Sequence, residues 1–344
     1  MSSGKKRAAA HVTIHEMARR LGISAASVSY ALNGRPGVGE ATRERVLALA
    51  RELDWHPSSS ARALSRSRTD TIGMVLRRDP ELLGQEPYYM SLLSGVESVL
   101  AEAGQSLMLR MVGTAPGRDL DVYRQWSAER RVDGVIVLDR LVEDPRPALL
   151  RSLGMPFVMH GLRLDPATGT QVVEDLVTDA RVLVDHLASL GHTDIIDVTG
   201  PLNLAHEVER RDAVAAEAAV CGIRVQVVEG DYTRAGAERL VADRLPSWRE
   251  ATAVISSNDV MALGILRSLT VAGRTAVALV SWDDSMLCDI SAPSITALAR
   301  RPDVQGQRSA RNLLHAIDAD PEQAEPPMPS RLVVRETSVP ARRG

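Results

Sequence analysis

Residues 12–34 read VTIHEMARRLGISAASVSYALNG, and the spacing within them sets the expectations for the head of the chain. Ile14, Met17, Ala18 and Leu21 fall at i, i+3, i+4 and i+7, which is one apolar face of a helix. Thr13 stands where an N-cap belongs, and Glu16, three residues on, completes the capping-box pattern. Gly22 breaks the run and Ser24 can cap again. Val28, Ala31 and Leu32 then predict a second short helix whose other face carries Ala25, Ala26, Ser27, Ser29 and Tyr30. After the Gly34–Gly39 turn, Val46, Leu49, Ala50 and Leu53 form the inward stripe of a third helix, with Arg43, Arg45 and Arg51 off it. Gly39 is its expected cap and Pro57 its stop.

A helix-turn-helix pattern by itself also occurs in proteins that never touch nucleic acid. Charge separates the two readings. Residues 1–70 hold 12 Lys and Arg against 6 Asp and Glu, a balance of +6, whereas the remainder holds 29 against 38, a balance of −9. A basic head on an acidic body is the footprint of a phosphate-binding module joined to something else. The small and hydroxyl-bearing side chains of the second helix can approach base edges and phosphates closely.

The length of 344 residues allows a small head and a body large enough for two lobes. Cys221 and Cys288 are the two cysteines; they lie far apart, lack metal-ligand spacing and fit a reducing compartment. Lys5, Lys6 and Arg7 are followed by too short and too weakly apolar a stretch for an export signal. No apolar run reaches the ~20 residues of a membrane span. A soluble, cytoplasmic protein without metal or cofactor is expected.

From Thr71 short apolar runs alternate with amphipathic stretches, the mark of βαβ units and an α/β fold with parallel sheets flanked by helices. TIGMVL (71–76), SLMLRMV (106–112), GVIVLD (134–139) and PFVMHG (156–161) predict four strands of a first lobe, with helices near 88–103, 119–130 and 146–153 between them. IIDVTG (195–200), VQVVEG (225–230), TAVISS (252–257) and VALVSW (277–282) predict a second series, interleaved with helices at 178–190, 205–221, 233–245 and 259–272. ITALAR (295–300), a helix at 303–317 and RLVVRETSV (331–339) close the chain. Ligands in such sheets sit beyond the carboxyl ends of the strands, so a cleft between the lobes is the expected binding site.

With VTIHEMARRLGISAASVSYALNG followed by VGEATRERVLALARELDWHP and SSSARAL, the chain resembles the lactose-repressor (LacI/GalR) family of transcription regulators nearly end to end. The resemblance implies a helix-turn-helix domain at 1–57, a hinge helix and linker at 58–70, and a two-lobed periplasmic-binding-protein type I body at 71–344. Its first lobe would span 71–173 and 299–325, its second 174–298 and 326–344. It implies a recognition helix from Ser24 to Asn33 in the major groove, with Ala25, Ala26, Ser29 and Tyr30 reading bases and Thr13 and Ser27 among the DNA contacts. Ser58, Ala61, Arg62 and Leu64 fall in the hinge, with Leu64 as the wedge that enters the minor groove and kinks the duplex.

For the cleft, the resemblance assigns Arg210 to grip an effector, Tyr232 to stack on it, and Asn258 and Asp283 to contact it, with Trp282 beside Asp283. Tyr88, Tyr89 and His160 are the first-lobe wall. Asp259 is expected to cap the helix that follows it. The pair Asp283–Asp284 lacks the histidines or further carboxylates of a metal site. No G-x-S-x-G elbow, no phosphate loop and no dinucleotide fingerprint is present, since GRPGVG follows a helix rather than a strand. The chain is therefore expected not to be an enzyme. The expected function is an effector-controlled regulator, acting as a homodimeric repressor on a pseudo-palindromic operator, with a sugar or oligosaccharide as effector. Purines or nucleosides are the other effector class the resemblance allows. A solute-binding protein with the same body is the alternative function, and it would have no use for residues 12–64.

Overall fold

The computed structural model describes residues 13–32, 34–55, 68–79, 83–164, 171–173, 176–320 and 330–341. The chain forms two compact units, residues 1–69 and 70–344. Asn33, Ser58, Ala61, Arg62 and Leu64 lie outside the described residues.

The first unit holds three helices, α1 (Ile14–Leu21), α2 (Ala25–Leu32) and α3 (Glu40–Glu52). Their periodic apolar positions meet in one core of Met17, Ala18, Val28, Ala31, Val46 and Ala50. The Thr13 hydroxyl accepts from the Glu16 amide at 3.3 Å, and Gly22 ends α1 at φ 68°, a left-handed conformation that glycine adopts at little cost. The Glu16 carboxylate bonds Arg19 and Arg20. Gly39 begins α3 without a side-chain cap.

In the second unit the elements run β1 (Thr71–Leu76), α4 (Pro87–Glu102), β2 (Ser106–Met111), α5 (Arg118–Glu129), β3 (Gly134–Val137), α6 (Arg146–Ser152) and β4 (Phe157–Met159). A short hairpin of β5 (Leu162–Leu164) and β6 (Gln171–Val173) leads to α7 (Leu176–Ser189), β7 (Asp194–Thr199), α8 (Ala205–Val220), β8 (Arg224–Glu229), α9 (Arg234–Arg244) and β9 (Ala253–Ser256). Then come α10 (Asp259–Val271), β10 (Ala278–Ser281), α11 (Met286–Ile290), β11 (Thr296–Ala299), α12 (Pro302–Asp318) and β12 (Arg331–Val333). The strands form a four-stranded sheet ordered β2-β1-β3-β4 and a six-stranded sheet ordered β12-β11-β10-β9-β7-β8.

The central strands of each sheet are buried on both faces, and their period-2 alternation sorts side chains between two cores. Ile72, Met74 and Leu76 of β1 pack with Leu92 and Val96 of α4, while Val75 turns to Tyr123 and Trp126 of α5. The helix α12 leaves the second sheet and returns to the first lobe, where Ala310 and Leu313 join the α4 core. Gly95 of α4 and Gly306 of α12 make this close approach possible: a Cβ at Gly95 would lie 1.8 Å from the Asp303 carbonyl oxygen, and one at Gly306 would lie 2.3 Å from that of Leu92.

Two expectations are corrected. RLVVRETSV was expected to be a strand throughout, but its strand covers only Arg331–Val333, which pairs antiparallel to β11. The β5–β6 hairpin is antiparallel as well and breaks the βα alternation. Apolar periodicity reports burial, not strand direction, so neither feature is encoded in it.

Candidate functional site

Two surfaces carry the predicted residues. On the head, Ser24 caps α2 by accepting from the Ser27 amide at 3.0 Å, and the two hydroxyls lie 2.9 Å apart. Ala25 is half-buried against the three-helix core. Of the expected base-reading positions, Ala26 and Tyr30 are exposed and stand one helical turn apart, with Ser29 half-buried beside them. Thr13 is exposed and its hydroxyl serves the α1 cap. The head therefore splits its nominated residues between helix capping and an outward face of α2.

In the second unit, a cleft of about 890 Å³, mouth included, opens between the lobes. Of the eight nominated cleft residues it is lined by Tyr88, Tyr89, His160, Arg210, Tyr232, Asn258 and Asp283. Trp282 is the exception and corrects the sequence expectation. It is 1% exposed in the core beneath the second sheet, and its ring lies 4.8 Å under the Arg210 guanidinium. Alternation along the strand sends Trp282 to the opposite side from Asp283, so the tryptophan supports the arginine rather than lining the cleft.

The Asn258–Asp259 junction is a second correction. Asn258, extended at φ −145° and ψ 168°, is the N-cap of α10, and its Oδ1 accepts from the Met261 amide at 2.8 Å. Its amide nitrogen donates to the Tyr232 carbonyl at 3.3 Å. Asp259 is the first helical residue; Oδ1 accepts from the Val260 amide, and Oδ2 is buried without a hydrogen-bond partner among the described residues. Burial, with Asp283 nearby, raises its pKa to about 6.

The second-lobe wall is organised by Glu207, which sequence reasoning did not nominate. Its Oε2 accepts from the Gly200 amide at 2.5 Å, and its Oε1 accepts from Ser257 Oγ at 2.6 Å, Tyr232 OH at 2.8 Å and Arg210 Nη1 at 3.1 Å. Burial opposes its charge, but Arg210 and His206 hold its pKa below the ordinary value. Because the Tyr232 proton goes to Glu207, His206 Nε2, 2.9 Å from the phenol oxygen, is the donor in that contact. Tyr232 holds its ring in place at φ 64°, a conformation unfavourable for a bulky residue, and Gly200 leaves room for that ring, since a Cβ there would lie 2.3 Å from it.

On the first-lobe wall, Tyr89 donates to Asp139 at 2.8 and 2.9 Å, and Arg78 pairs with Asp139 at 3.0 Å. Arg78 lies 5.3 Å from the centroids of both Tyr89 and Tyr232, so a first-lobe cation is set against an aromatic ring from each lobe. His160 bridges Tyr88 OH at 3.0 Å and Ser309 Oγ at 2.9 Å. Burial lowers the pKa of both His160 and His206 to about 4, so both are neutral at pH 7. Glu86 is raised by burial to about 7. Arg146, 1% exposed, donates to the Leu138 and Asp139 carbonyls at 2.9 and 2.7 Å and pairs with Asp144, which fixes the turn that presents Asp139.

The lobes also touch through backbone. Ala205 N donates to Arg140 O at 2.8 Å, Val142 N donates to Asn203 O at 3.1 Å, and Arg140 pairs with Glu209 at 2.6 Å. Sequence reasoning missed Arg78, Asp139 and Arg300 among the lining residues, although each follows a strand end and the rule that selected Asp283 selects them too.

The comparisons with known proteins agree with this division. The profile of bacterial regulatory proteins of the lacI family matches residues 13–58, and that of the periplasmic binding protein-like domain matches residues 184–338. The HTH-type transcriptional regulator CelR of Thermobifida fusca is 31% identical over 342 residues, covering 94% of this chain and 98% of the relative. A solved structure of a transcriptional regulator CelR–cellobiose complex is 27% identical with a TM-score of 0.69, covering 94% of this chain and 99% of that one. The lac repressor dimer bound to operator and the anti-inducer ONPF shares the fold, with a TM-score of 0.81 at 24% identity over 95% of this chain and 99% of that one. With a head that matches one half of the family's architecture and a cleft-bearing body that matches the other, the chain belongs to the lacI family of bacterial regulatory proteins.

Proposed function

We propose that this regulator binds a pseudo-palindromic operator as a homodimer in the cytoplasm, and that a neutral sugar in the inter-lobe cleft controls its affinity for DNA. Its family consists of transcriptional regulators, and the cleft is read as a binding site rather than a catalytic one. The observation that carries the effector class is charge balance. Each arginine of the cleft faces a protein carboxylate: Arg78 faces Asp139, Arg140 faces Glu209, Arg210 faces Glu207 and Arg300 faces Asp283. Among the described residues such a wall holds no surplus cation for a phosphate or a carboxylate ligand, but it offers oriented donors and acceptors to hydroxyl groups. Tyr88, Tyr89 and Tyr232 add the aromatic surface on which a sugar's C–H face packs. The related CelR complex, which holds cellobiose, supports the same class.

Arg140, Val142 and Ala205 join the lobes on one side and Arg78 meets Tyr232 within the cleft, so a ligand that alters these contacts changes the lobe arrangement. Coupling to DNA requires that the operator-bound and operator-free arrangements differ in affinity for the sugar.

The DNA half is tested by binding at graded salt to selected genomic fragments. Affinity for two-half-site fragments falls steeply as salt rises, because arginines displace condensed counterions. Leu64→Ala weakens binding to those fragments far more than to random DNA. Salt-independent binding, or selection of single asymmetric sites, refutes the operator reading, and equal losses on both kinds of DNA refute the wedge.

A further inference from the structure

Tyr232 was expected to stack on an effector, yet its ring is already covered. The Arg78 guanidinium, which belongs to the first lobe, lies over it with 5.3 Å from Cζ to the ring centroid, and at the same distance over Tyr89. From the second lobe the backbone of Gly200 lies against the Tyr232 ring, leaving no room even for a Cβ. We infer that Arg78 is an internal competitor for the stacking slot: it holds the place of a ligand's ring between Tyr89 and Tyr232, and a ligand enters by displacing it. The inference rests on the reading of the cleft as a sugar site and adds the regulation of that site.

The two partners are anchored in separate lobes. Arg78 follows β1; its carbonyl accepts from the Gly113 amide at 3.2 Å, and its side chain pairs with Asp139 at 3.0 Å and stands 3.4 Å from Glu86. Tyr232 donates to Glu207, accepts from His206, and has its carbonyl held by Asn258. The guanidinium over the ring joins these two sets of residues. A ligand that takes the slot therefore removes a contact between the lobes, and occupancy is tied to lobe arrangement through one side chain.

The displaced guanidinium has a place to go. Its Nε is buried without a hydrogen bond among the described residues, although Glu86 Oε1 is only 3.4 Å away. A small rotation of the side chain brings that pair to bonding distance and geometry. Glu86 and Asp139 both belong to the first lobe, so Arg78 turns toward them without leaving its charge unpaired. Exchanging an aromatic face for a charge-assisted hydrogen bond is a change small enough for a neutral ligand to drive.

The test compares the full chain with Arg78→Lys, whose compact ammonium can still pair with Asp139 but lacks the flat group that covers a ring. Calorimetry with glucose and with cellobiose is expected to show binding at least about tenfold tighter in the variant, because the covered state no longer withholds the slot. Amide exchange at Ala205 and Val142, whose hydrogen bonds cross between the lobes, should quicken in the variant without sugar. An affinity that is unchanged or lower overturns the inference. Exchange at the wild-type rate overturns it as well, since a merely structural arginine would loosen only amides within the first lobe. Should the variant fail to fold, a crystal structure of the wild type with whichever sugar binds decides: the guanidinium must have left the Tyr232 ring, and one still over that ring beside a bound sugar refutes the competition. If neither sugar binds either protein, the sugar reading of the cleft fails; quickened exchange then still supports Arg78 as a contact between the lobes, and unchanged exchange removes that too.

Discussion

Glu207→Ala is expected to destabilise the body by about 3–5 kcal/mol, the cost typical of removing one partner from a buried ion pair. The side chain of Glu207 is 1% exposed and that of Arg210 7%, so water cannot take over the lost charge. Ser257 Oγ, Tyr232 OH and the Gly200 amide would lose their acceptor at the same time. Arg210 and Tyr232 form the second-lobe wall, so any sugar response should vanish together with the stability. Glu207→Gln keeps the volume and one acceptor oxygen but loses the charge, and should fall between the alanine variant and the wild type. Denaturant unfolding of the three proteins checks this order. An alanine variant as stable as the wild type would mean that Glu207 does not organise the wall.

Asp197→Asn is expected to stabilise the body at alkaline pH. Asp197 is 2% exposed on β7, its Oδ2 has no hydrogen-bond partner among the described residues, and burial together with Glu207 raises its pKa to about 7. A carboxyl whose folded pKa lies above its unfolded value near 3.8 favours the folded state most when it is protonated in both states. That contribution is lost as pH rises from about 4 through about 7. At ~1.4 kcal/mol per pKa unit, the penalty relieved by asparagine at pH 8 is roughly 2–4 kcal/mol. His160 and His206, with pKa values lowered to about 4, act in the opposite direction, losing stability as pH falls from 6.5 toward 4. They are present in both proteins and cancel in the difference, as do Glu86 and Asp259. Thermal unfolding from pH 4 to pH 8 should therefore show a gain that grows with pH and disappears near pH 4. A gain independent of pH would mean that Asp197 is ionised throughout.

The helices of the head and the strands of both lobes were legible because each carries its own period. Met17, Val28 and Val46 could be placed in one core from spacing alone, and β1 and β3 declared themselves by short apolar runs. The strand-end rule reached Asp283, Asn258, Tyr232 and His160 for the same reason: each lies a residue or two beyond a recognisable run. What the sequence left open depends on partners far along the chain. Arg78 meets Asp139, and Arg300 meets Asp179 and Asp283, through contacts that no local pattern announces. Arg146 sits among polar and proline residues that read as surface, yet it is buried because two carbonyls and Asp144 satisfy its guanidinium. Asn258 and Asp259 are both good caps by composition, and only the extended backbone of Asn258 decides between them. The charge balance of the cleft, which carries the effector class, emerges only when these distant residues are brought together.

The central claim is that the cleft and the operator are coupled. Its most direct measurement is fluorescence anisotropy of a labelled operator duplex, titrated with a sugar that binds the protein, for the wild type and Asp283→Asn. Asp283 lines the cleft and accepts from Arg300 at 3.2 Å, and it belongs to the unit that does not contain α1–α3. The account predicts the same operator affinity for the two proteins without sugar. With sugar, the wild-type curve should shift, and the variant should need at least about tenfold more sugar for the same shift, a difference of about 1.4 kcal/mol. By reciprocity, operator DNA must change the wild type's sugar affinity by the same factor. A variant that responds at the wild-type concentration, or a sugar that binds the cleft and leaves operator affinity untouched, would contradict the account.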